Sequence, residues 1–145
     1  ADTQIELGVS AYLPETYVSD EITRLEMYKK ISSICSDEDR DEILDELLDR
    51  FGDPPQTAEN LMDVAFLRNL ASRCGIARIA KQQNKAVFLF EERSLLTPDR
   101  MAKLMDAYGL RLTVYGGVQP RIALHIGSGS ALGEALKFVR VLLGV

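Results

Sequence analysis

The chain has 145 residues, of which 46% are hydrophobic and 27% are charged, and its mean hydropathy is −0.05. These values exclude a disordered tail, which needs a lower apolar fraction, and no run of about 18 apolar residues suggests a membrane span. The length fits one domain or two very small ones. Cys35 and Cys74 lack a metal-binding spacing and are expected to be thiols in a reducing cytoplasm. The first residues show no secretory signal, and since the chain lacks an initiator Met, an excised fragment is an equal alternative to a whole protein.

The negative charge is concentrated in one segment. The chain has 17 Lys and Arg against 22 Asp and Glu, a net charge of −5. Residues 36–53 alone hold nine acids and two arginines, so the remainder is close to neutral. A domain that binds duplex DNA usually shows a basic face. The charge pattern therefore argues against direct phosphate binding as the main role.

The first half of the chain is predicted to be mostly helical, about residues 19–75. Residues 5–12 alternate imperfectly and predict an edge strand or an extended arm. A first helix is predicted over 20–35 and a third over 55–74. The first of these has apolar residues at every third position, which we expect on one buried face: Ile22, Leu25, Tyr28, Ile31 and Ile34.

The second helix carries the acidic segment. Ser36 is a good N-cap, and acids fill the first turn, where the helix dipole favours negative charge. The apolar residues follow helical spacing between Ile43 and Phe51. Gly52 and the following pair of prolines predict the end of the helix.

The second half is predicted to contain two strand–strand–helix units, about 76–108 and 110–143. Glycines and polar pairs separate the strands of each hairpin, and Thr97 with Pro98 predicts a helix start. We therefore predict an α+β fold, in which an N-terminal helical segment packs with an antiparallel sheet. The strand order is left open. In chain order the predicted elements are strands 76–82 and 85–91, a helix over 97–108, strands 110–115 and 121–126, and a helix over 130–143.

Two features invite a catalytic or ligand-binding interpretation. Gly127, Gly129 and Gly133 lie between a predicted strand and a helix, as in loops that bind phosphate. The GxGxxxG spacing departs from the dinucleotide motif, so a plain connection is favoured, and a small phosphate-ligand-binding domain stays an alternative. His125 is the sole histidine, and nothing near it in sequence offers an orienting acid and a nucleophile. No catalytic residue is predicted.

The remaining polar and sulfur groups predict neither a metal nor a cofactor. The acids of residues 37–51 follow helical spacing and lack the loop of an EF-hand. They predict a solvated helix face, or equally a face that binds an arginine-rich partner. Cys35 and Cys74 each follow a predicted helix beside apolar residues and are expected to be buried.

An ordered set of motifs covers about residues 5–80. The motifs are LPETYV at 13–18, RLEMYKKI at 24–31, ELLDRFGDPP at 46–55, NL at 60–61 and AFLR at 65–68. Together they resemble the C-terminal domain of the bacterial transcription-repair coupling factors, the Mfd family. The second half of the chain carries no further motif of this family, and its assignment rests on continuity.

The resemblance implies a function that composition does not show. The family consists of cytoplasmic, multidomain, ATP-dependent DNA translocases that displace stalled RNA polymerase and recruit the repair protein UvrA. In that family the C-terminal domain docks on the N-terminal UvrB-like module and hides the surface that UvrA uses. The resemblance implies that residues 1–145 are a single C-terminal regulatory domain, without cofactor, strong nucleic-acid binding or membrane contact. The chain contains no GxxxxGK[ST] motif, which is consistent with a non-catalytic fragment.

The resemblance also implies a site. The family's docking contacts centre on the helix that matches Glu46, Asp49 and Arg50, and the acid, acid, base pattern is retained here. Glu42 and Asp45 on the same helix complete the expected interaction residues. Carboxylates there would accept charge-assisted hydrogen bonds from partner arginines. Two alternatives stay open: a face that serves solubility alone, and an adaptor surface for RNA polymerase or another repair factor.

Overall fold

The computed structural model describes residues 2–145, apart from the side chain of Ser94. Residue contacts divide the chain into two compact units. The helical unit is Val9–Asn69, and the sheet unit combines the residues up to Gly8 with Leu70–Val145. Whether residues 1–145 act as one regulatory domain stays a prediction.

The helical unit contains α1 (Glu21–Ile31), α2 (Asp37–Phe51) and most of α3 (Gln56–Arg73). Two of these helices begin at side-chain caps: Asp20 accepts from the amide of Thr23, and Ser36 accepts from the amide of Asp39. Each cap satisfies one of the amides that a helix start leaves without a partner. The limits of α2 agree with the prediction from its cap and its terminal glycine.

The predicted face of α1 is wrong. Met27 and Ile31 are its buried residues, whereas Ile22 and Leu25 are 70% and 66% exposed. A step of three residues turns by about 300° and so drifts around the helix, while the step of four between Met27 and Ile31 stays on one face. The helix also ends at Ile31 rather than at residue 35.

The sheet unit contains five strands in the order β1-β2-β3-β5-β4. Both predicted strand–strand–helix sets are present, and short 3-10 turns at Arg93–Leu95 and Gly109–Arg111 lie beside α4. The elements are β1 (Gln4–Glu6), β2 (Ile76–Gln82), β3 (Lys85–Phe90), α4 (Pro98–Tyr108), β4 (Leu112–Tyr115), β5 (Arg121–His125) and α5 (Ala131–Leu143).

The α+β class is confirmed, but the sheet is mixed rather than antiparallel throughout. The pairs among β2, β3, β5 and β4 are antiparallel, as hairpins require. β1 lies at the edge, as predicted, but it pairs parallel to β2 and is only three residues long. A parallel pair needs a long connection, and the chain between β1 and β2 includes all of α1, α2 and α3.

One face of the sheet packs on helices. The ring of Phe138 in α5 stacks on that of Phe88 in β3 at 3.8 Å, and both side chains are fully buried. Tyr108 at the end of α4 contacts the same Phe138 ring. Because side chains alternate along a strand, Val87 and Leu89 point to the opposite face, where they are half-buried. No helix in the described part of the chain is long and apolar enough to cross a membrane.

Candidate functional site

Helix α2 positions all five residues of the predicted interaction site. Ile43 and Leu47 are buried and define its inner side. At about 100° per residue, Glu42, Asp45 and Asp49 fall on the opposite, outer side, and all three are exposed. Glu46 and Arg50 lie at the border between the two sides. The structure therefore separates the predicted residues into an outer group and a border pair.

The border pair is engaged within the helical unit. Nζ of Lys30 on α1 donates to both carboxylate oxygens of Glu46 at 2.9 Å. Nη1 of Arg50 donates to the same carboxylate at 2.7 Å. These bonds, with that of Lys30 the largest, hold the pKa of Glu46 below its ordinary value. Glu46 thus connects α2 to α1, and Lys30 and Arg50 compensate its negative charge.

Arg50 has further contacts that fix its side chain. Its Nη1 lies 3.7 Å from Sδ of Met27, and its guanidinium lies 5.0 Å from the centre of the Phe51 ring. A guanidinium over an aromatic face is a weak attraction at an exposed site. Arg50 is 41% exposed, so its outer edge still reaches solvent.

The outer side of α2 is a cluster of uncompensated carboxylates, which we call the acidic face. Its members are exposed, and none has a hydrogen bond or ion pair with another residue that the structure describes. Like charges one helical turn apart repel, so this face lowers the stability of the isolated helix. The acidic face consists of Glu38, Asp41, Glu42, Asp45 and Asp49.

A groove borders the acidic face on the α1 side. It has a volume of about 280 Å³, is widely open and is mostly polar. Sequence reasoning missed Lys30, because the contact joins residues 16 positions apart on two helices and leaves no local signal. The groove is lined by Lys30, Ser33, Asp39, Glu42, Ile43 and Glu46.

The glycine loop before α5 borders a smaller cavity of about 150 Å³, with Lys81 as its charged lining residue. Ser130 caps the helix by accepting from the amide of Gly133 at 2.9 Å, so one amide that would face a phosphate already has a partner. A carboxylate oxygen of Glu134 lies 3.1 Å from the place of a Cβ on Gly129. An acid so close to the loop disfavours a phosphate there.

The remaining candidate groups are apart from α2. His125 is exposed, with its Nε2 3.5 Å from the side-chain amide of Asn84. Cys74 is buried as expected, but Cys35 is exposed, which corrects the prediction for that residue. Cys35 follows the end of α1, and its Sγ lies 3.3 Å from a carboxylate oxygen of Asp39. Among the described residues, no three His, Cys, Asp or Glu side chains are grouped so that they could hold a metal ion.

Comparison with known proteins settles the family. The family model described as the TRCF domain matches residues 7–112, a range that contains the whole helical unit. The chain belongs to the TRCF domain family. The range includes α2 and its acidic face, so the resemblance seen in the sequence is confirmed at the level of the family.

Two relatives and one solved structure show how far the likeness extends. The transcription-repair-coupling factor of Escherichia coli K12 is 36% identical over 104 residues, 72% of this chain and 9% of the relative. That of Bacillus subtilis 168 is 34% identical over 114 residues, 77% of this chain and 10% of the relative. The chain therefore spans about a tenth of the length of these curated relatives.

The crystal structure of a C-terminal domain of transcription-repair coupling factor has the same fold. The TM-score is 0.86 at 24% identity, with 99% of this chain and 93% of that chain covered. The match extends over β4, β5 and α5, where the sequence carries no motif of the family. The second half of the chain thus has the fold that continuity predicted.

Proposed function

We propose that this chain is a non-catalytic regulatory domain of a cytoplasmic, transcription-coupled DNA repair translocase. In this role it docks on the UvrB-like module of the same protein and masks the surface that UvrA binds. The observation that carries the proposal is the acidic face of α2, where five exposed carboxylates have no partner among the described residues. Membership of the TRCF domain family supports the biological setting.

The chemistry of the acidic face suits a contact that must open. Exposed carboxylates form charge-assisted hydrogen bonds with arginines, and such pairs fix the orientation of two surfaces. Exposed ion pairs contribute little affinity each and weaken as salt rises. Docking through Glu42, Asp45 and Asp49 is therefore specific but reversible, as autoinhibition requires. UvrA and RNA polymerase are then affected indirectly, by release of the masked module.

Glu46 and Arg50 have a supporting role in this proposal. Their ion pair, together with Lys30, holds α2 against α1 and so keeps the acidic face in one orientation. The carboxylate of Glu46 already accepts three hydrogen bonds from Lys30 and Arg50, which leaves it little capacity for a partner arginine. We therefore assign the direct contacts first to Glu42, Asp45 and Asp49.

The test is a titration of the isotope-labelled chain with the separately produced UvrB-like module, followed by NMR. We expect shifts on the acidic face, and a loss of affinity of tenfold or more when Glu42, Asp45 and Asp49 are all replaced by Lys. Millimolar concentrations are needed, because a contact that works within one chain is weak without the tether.

The matched control changes the charge equally at exposed acids outside α2, namely Glu26→Lys, Glu91→Lys and Asp106→Lys. An equal loss in both triple variants would show a general charge effect and contradict the assigned site. No shift with both samples folded would contradict docking itself. Shifts with RNA polymerase alone would favour the adaptor function.

A further inference from the structure

The two units carry opposite charge. The helical unit has six Lys and Arg against 15 Asp and Glu, a net charge of −9, while the sheet unit has 11 against seven, a net charge of +4. The acidic composition of the whole chain therefore conceals a basic unit. Cations without an evident role in folding are candidates for binding a negatively charged partner.

The sheet of the basic unit has one face that α4 and α5 of the same unit do not cover. Its strands present the ring of Phe88 to α5 on one side, so the alternate residues of β3 face the other side. Arg121 and His125 of β5 are exposed on that side, and Tyr115 of β4 is 42% exposed. We call this surface the open sheet face. By the strand register it includes Glu6 of β1, Arg78 and Ala80 of β2, Lys85, Val87 and Leu89 of β3, Arg121, Ala123 and His125 of β5, and Thr113 and Tyr115 of β4.

The strand register arranges the open sheet face in three rows across the strands. The centre of the middle row consists of short apolar side chains, because Val87 pairs with Ala80 on one side and with Ala123 on the other. Small side chains between larger neighbours form a shallow trough. Since the two outer rows are four residues apart along β3, they are separated by about 13 Å.

Cations stand on both sides of the trough. In one outer row, Leu89 pairs with Arg78 and with Arg121. In the other outer row, Lys85 pairs with His125. The carboxylate of this face is that of Glu6 on the edge strand β1, which pairs with Ala80, and it is compensated by Arg78. The trough is thus apolar from Ala80 across to Ala123, and Arg121 and Lys85 place positive charge at its two margins.

Two of these cations are held in place. The guanidinium of Arg121 lies 5.0 Å from the centre of the Tyr115 ring. Arg78 forms an ion pair with Glu6 of the edge strand β1. Such contacts reduce the rotamer freedom that a binding partner would otherwise have to restrict.

We propose that the open sheet face docks an acidic amphipathic helix of a partner protein. A helix with its side chains is about 10–12 Å across, which fits the space between the two outer rows. Its apolar stripe would cover Val87 and Leu89. Carboxylates on its two flanks would reach Arg121 on one side and Lys85 on the other.

The same observations disfavour nucleic acid as the occupant. Sheets that bind single-stranded RNA or DNA stack the bases on exposed aromatic rings of central strands. The open sheet face has no aromatic ring on its central strand β3. Its two rings lie outside that strand, on His125 of β5 and on Tyr115 of the edge strand β4, and Arg121 already covers Tyr115. An apolar trough with charged margins matches an amphipathic helix more closely.

The test uses a defined probe with this chemistry, a blocked synthetic peptide of residues 36–53. It carries nine acids against two arginines and an apolar helical stripe. The labelled 145-residue chain is titrated with this peptide, and with a control peptide in which Asn and Gln replace the acids. We expect shifts along β3 and β5 with the acidic peptide, at least tenfold weaker binding of the neutral control, and a marked loss of binding in high salt.

A pair of variants tests the surface. Lys85→Glu with Arg121→Glu should weaken binding by tenfold or more, whereas Lys103→Glu with Lys137→Glu, an equal charge change at exposed helix positions, should change it less than twofold. Unchanged backbone spectra outside the substituted strands show that the first variant is folded. The proposal is overturned by shifts confined to the helical unit, by equal losses in the two variants, or by no shift up to millimolar peptide. Tighter binding of a labelled 20-base single-stranded DNA to the same face would also overturn it, in favour of nucleic acid.

Discussion

The carboxylate of Glu46 accepts a hydrogen bond of 2.7 Å from Nη1 of Arg50, one turn further along α2. The resemblance to the family assigns both residues to docking, yet here they compensate each other's charge. The charge that remains open to a partner is the acidic face, one-third of a turn away. This division of roles can be tested residue by residue.

Replacing Glu46 by Gln should lower the free energy of unfolding at neutral pH by about 1 kcal/mol or less, as for a partly exposed ion pair. Lys30 and Arg50 hold the pKa of Glu46 below its ordinary value of 4.5, so the folded state favours the charged form. The stabilisation is therefore complete above that ordinary pKa and is lost as the pH falls through the lowered value of the folded state. Urea unfolding of both proteins at pH 7 and at pH 3 measures the difference.

The difference between the two proteins should be smaller at the lower pH, because protonation of Glu46 removes the charge that Gln also lacks. Asp49→Asn is the control, since Asp49 has no partner among the described residues and its replacement should change stability by less than about 0.5 kcal/mol. A deficit of Glu46→Gln that is the same at both pH values would show that packing, rather than charge, is responsible.

The proposed docking predicts that, in the full protein, Glu42→Lys with Asp45→Lys and Asp49→Lys raises the affinity for UvrA, because reversal of the acidic face would release the module that docking masks. Glu46→Gln should raise it less, since that residue supports the face without forming most of it. Higher salt should also raise the affinity of the unsubstituted protein for UvrA, because salt weakens the exposed ion pairs of the docked state. Binding of labelled UvrA at two salt concentrations provides the measurement, and a larger effect of Glu46→Gln than of the triple variant would reverse the assignment.

The sequence predicted those elements whose ends are encoded by local chemistry. Ser36 and Gly52 delimit α2, and Thr97 with Pro98 begins α4, because caps and prolines act within one turn of the chain. The prediction of the apolar face of α1 was wrong, because Ile22 and Leu25 are as hydrophobic as core residues but lie on the solvent side. Hydropathy shows which residues can be buried, and only the packing partner decides which are.

Contacts between residues far apart in the chain could not be predicted from the sequence. The parallel pairing of β1 with β2 joins residues more than 70 positions apart, such as Gln4 and Arg78. The contact of Lys30 with Glu46 depends on how α1 and α2 cross. The family resemblance identified α2 as the site. That Glu46 is ion-paired while Asp49 is not could be seen only from the arrangement of α1 and α2 in the structure.

Gly75 should tolerate alanine much less well than Gly8. Both have a positive φ, +71° and +68°, which costs an L-residue about 1–2 kcal/mol. At Gly8 nothing lies within 4 Å of the added Cβ, whereas at Gly75 it would overlap Cδ1 of Leu95. We expect Gly75→Ala to lower the free energy of unfolding by about 1–3 kcal/mol more than Gly8→Ala, the usual cost of overpacking.

Leu95→Ala separates the two causes at Gly75. Removal of the overlapping methyl groups should make the double variant more stable than the sum of the two single losses predicts, and the cycle measures this coupling. Additive losses would show that the backbone angle alone makes glycine necessary there.

The two cysteines should differ in reactivity toward a thiol reagent such as DTNB. Burial raises the pKa of the Cys74 thiol to about 11, although the charges of Arg100 and Arg73 act in the opposite direction. At pH 8 only about 0.1% of such a thiol is the reactive thiolate, and the side chain is also shielded from the reagent. Cys35 is exposed. The native chain should therefore release one equivalent of chromophore quickly, and a second only after unfolding in urea.

Single variants identify the reacting thiol. Cys35→Ser should show almost no fast reaction in the native state and one equivalent in urea, while Cys74→Ser should show one fast equivalent in both. Fast labelling of native Cys35→Ser would mean that the end of α3 opens readily, because Cys74 directly follows that helix and is otherwise fully buried. Its rate would then measure the local opening of that part of the sheet unit, since the reagent reaches the thiol only in the open state.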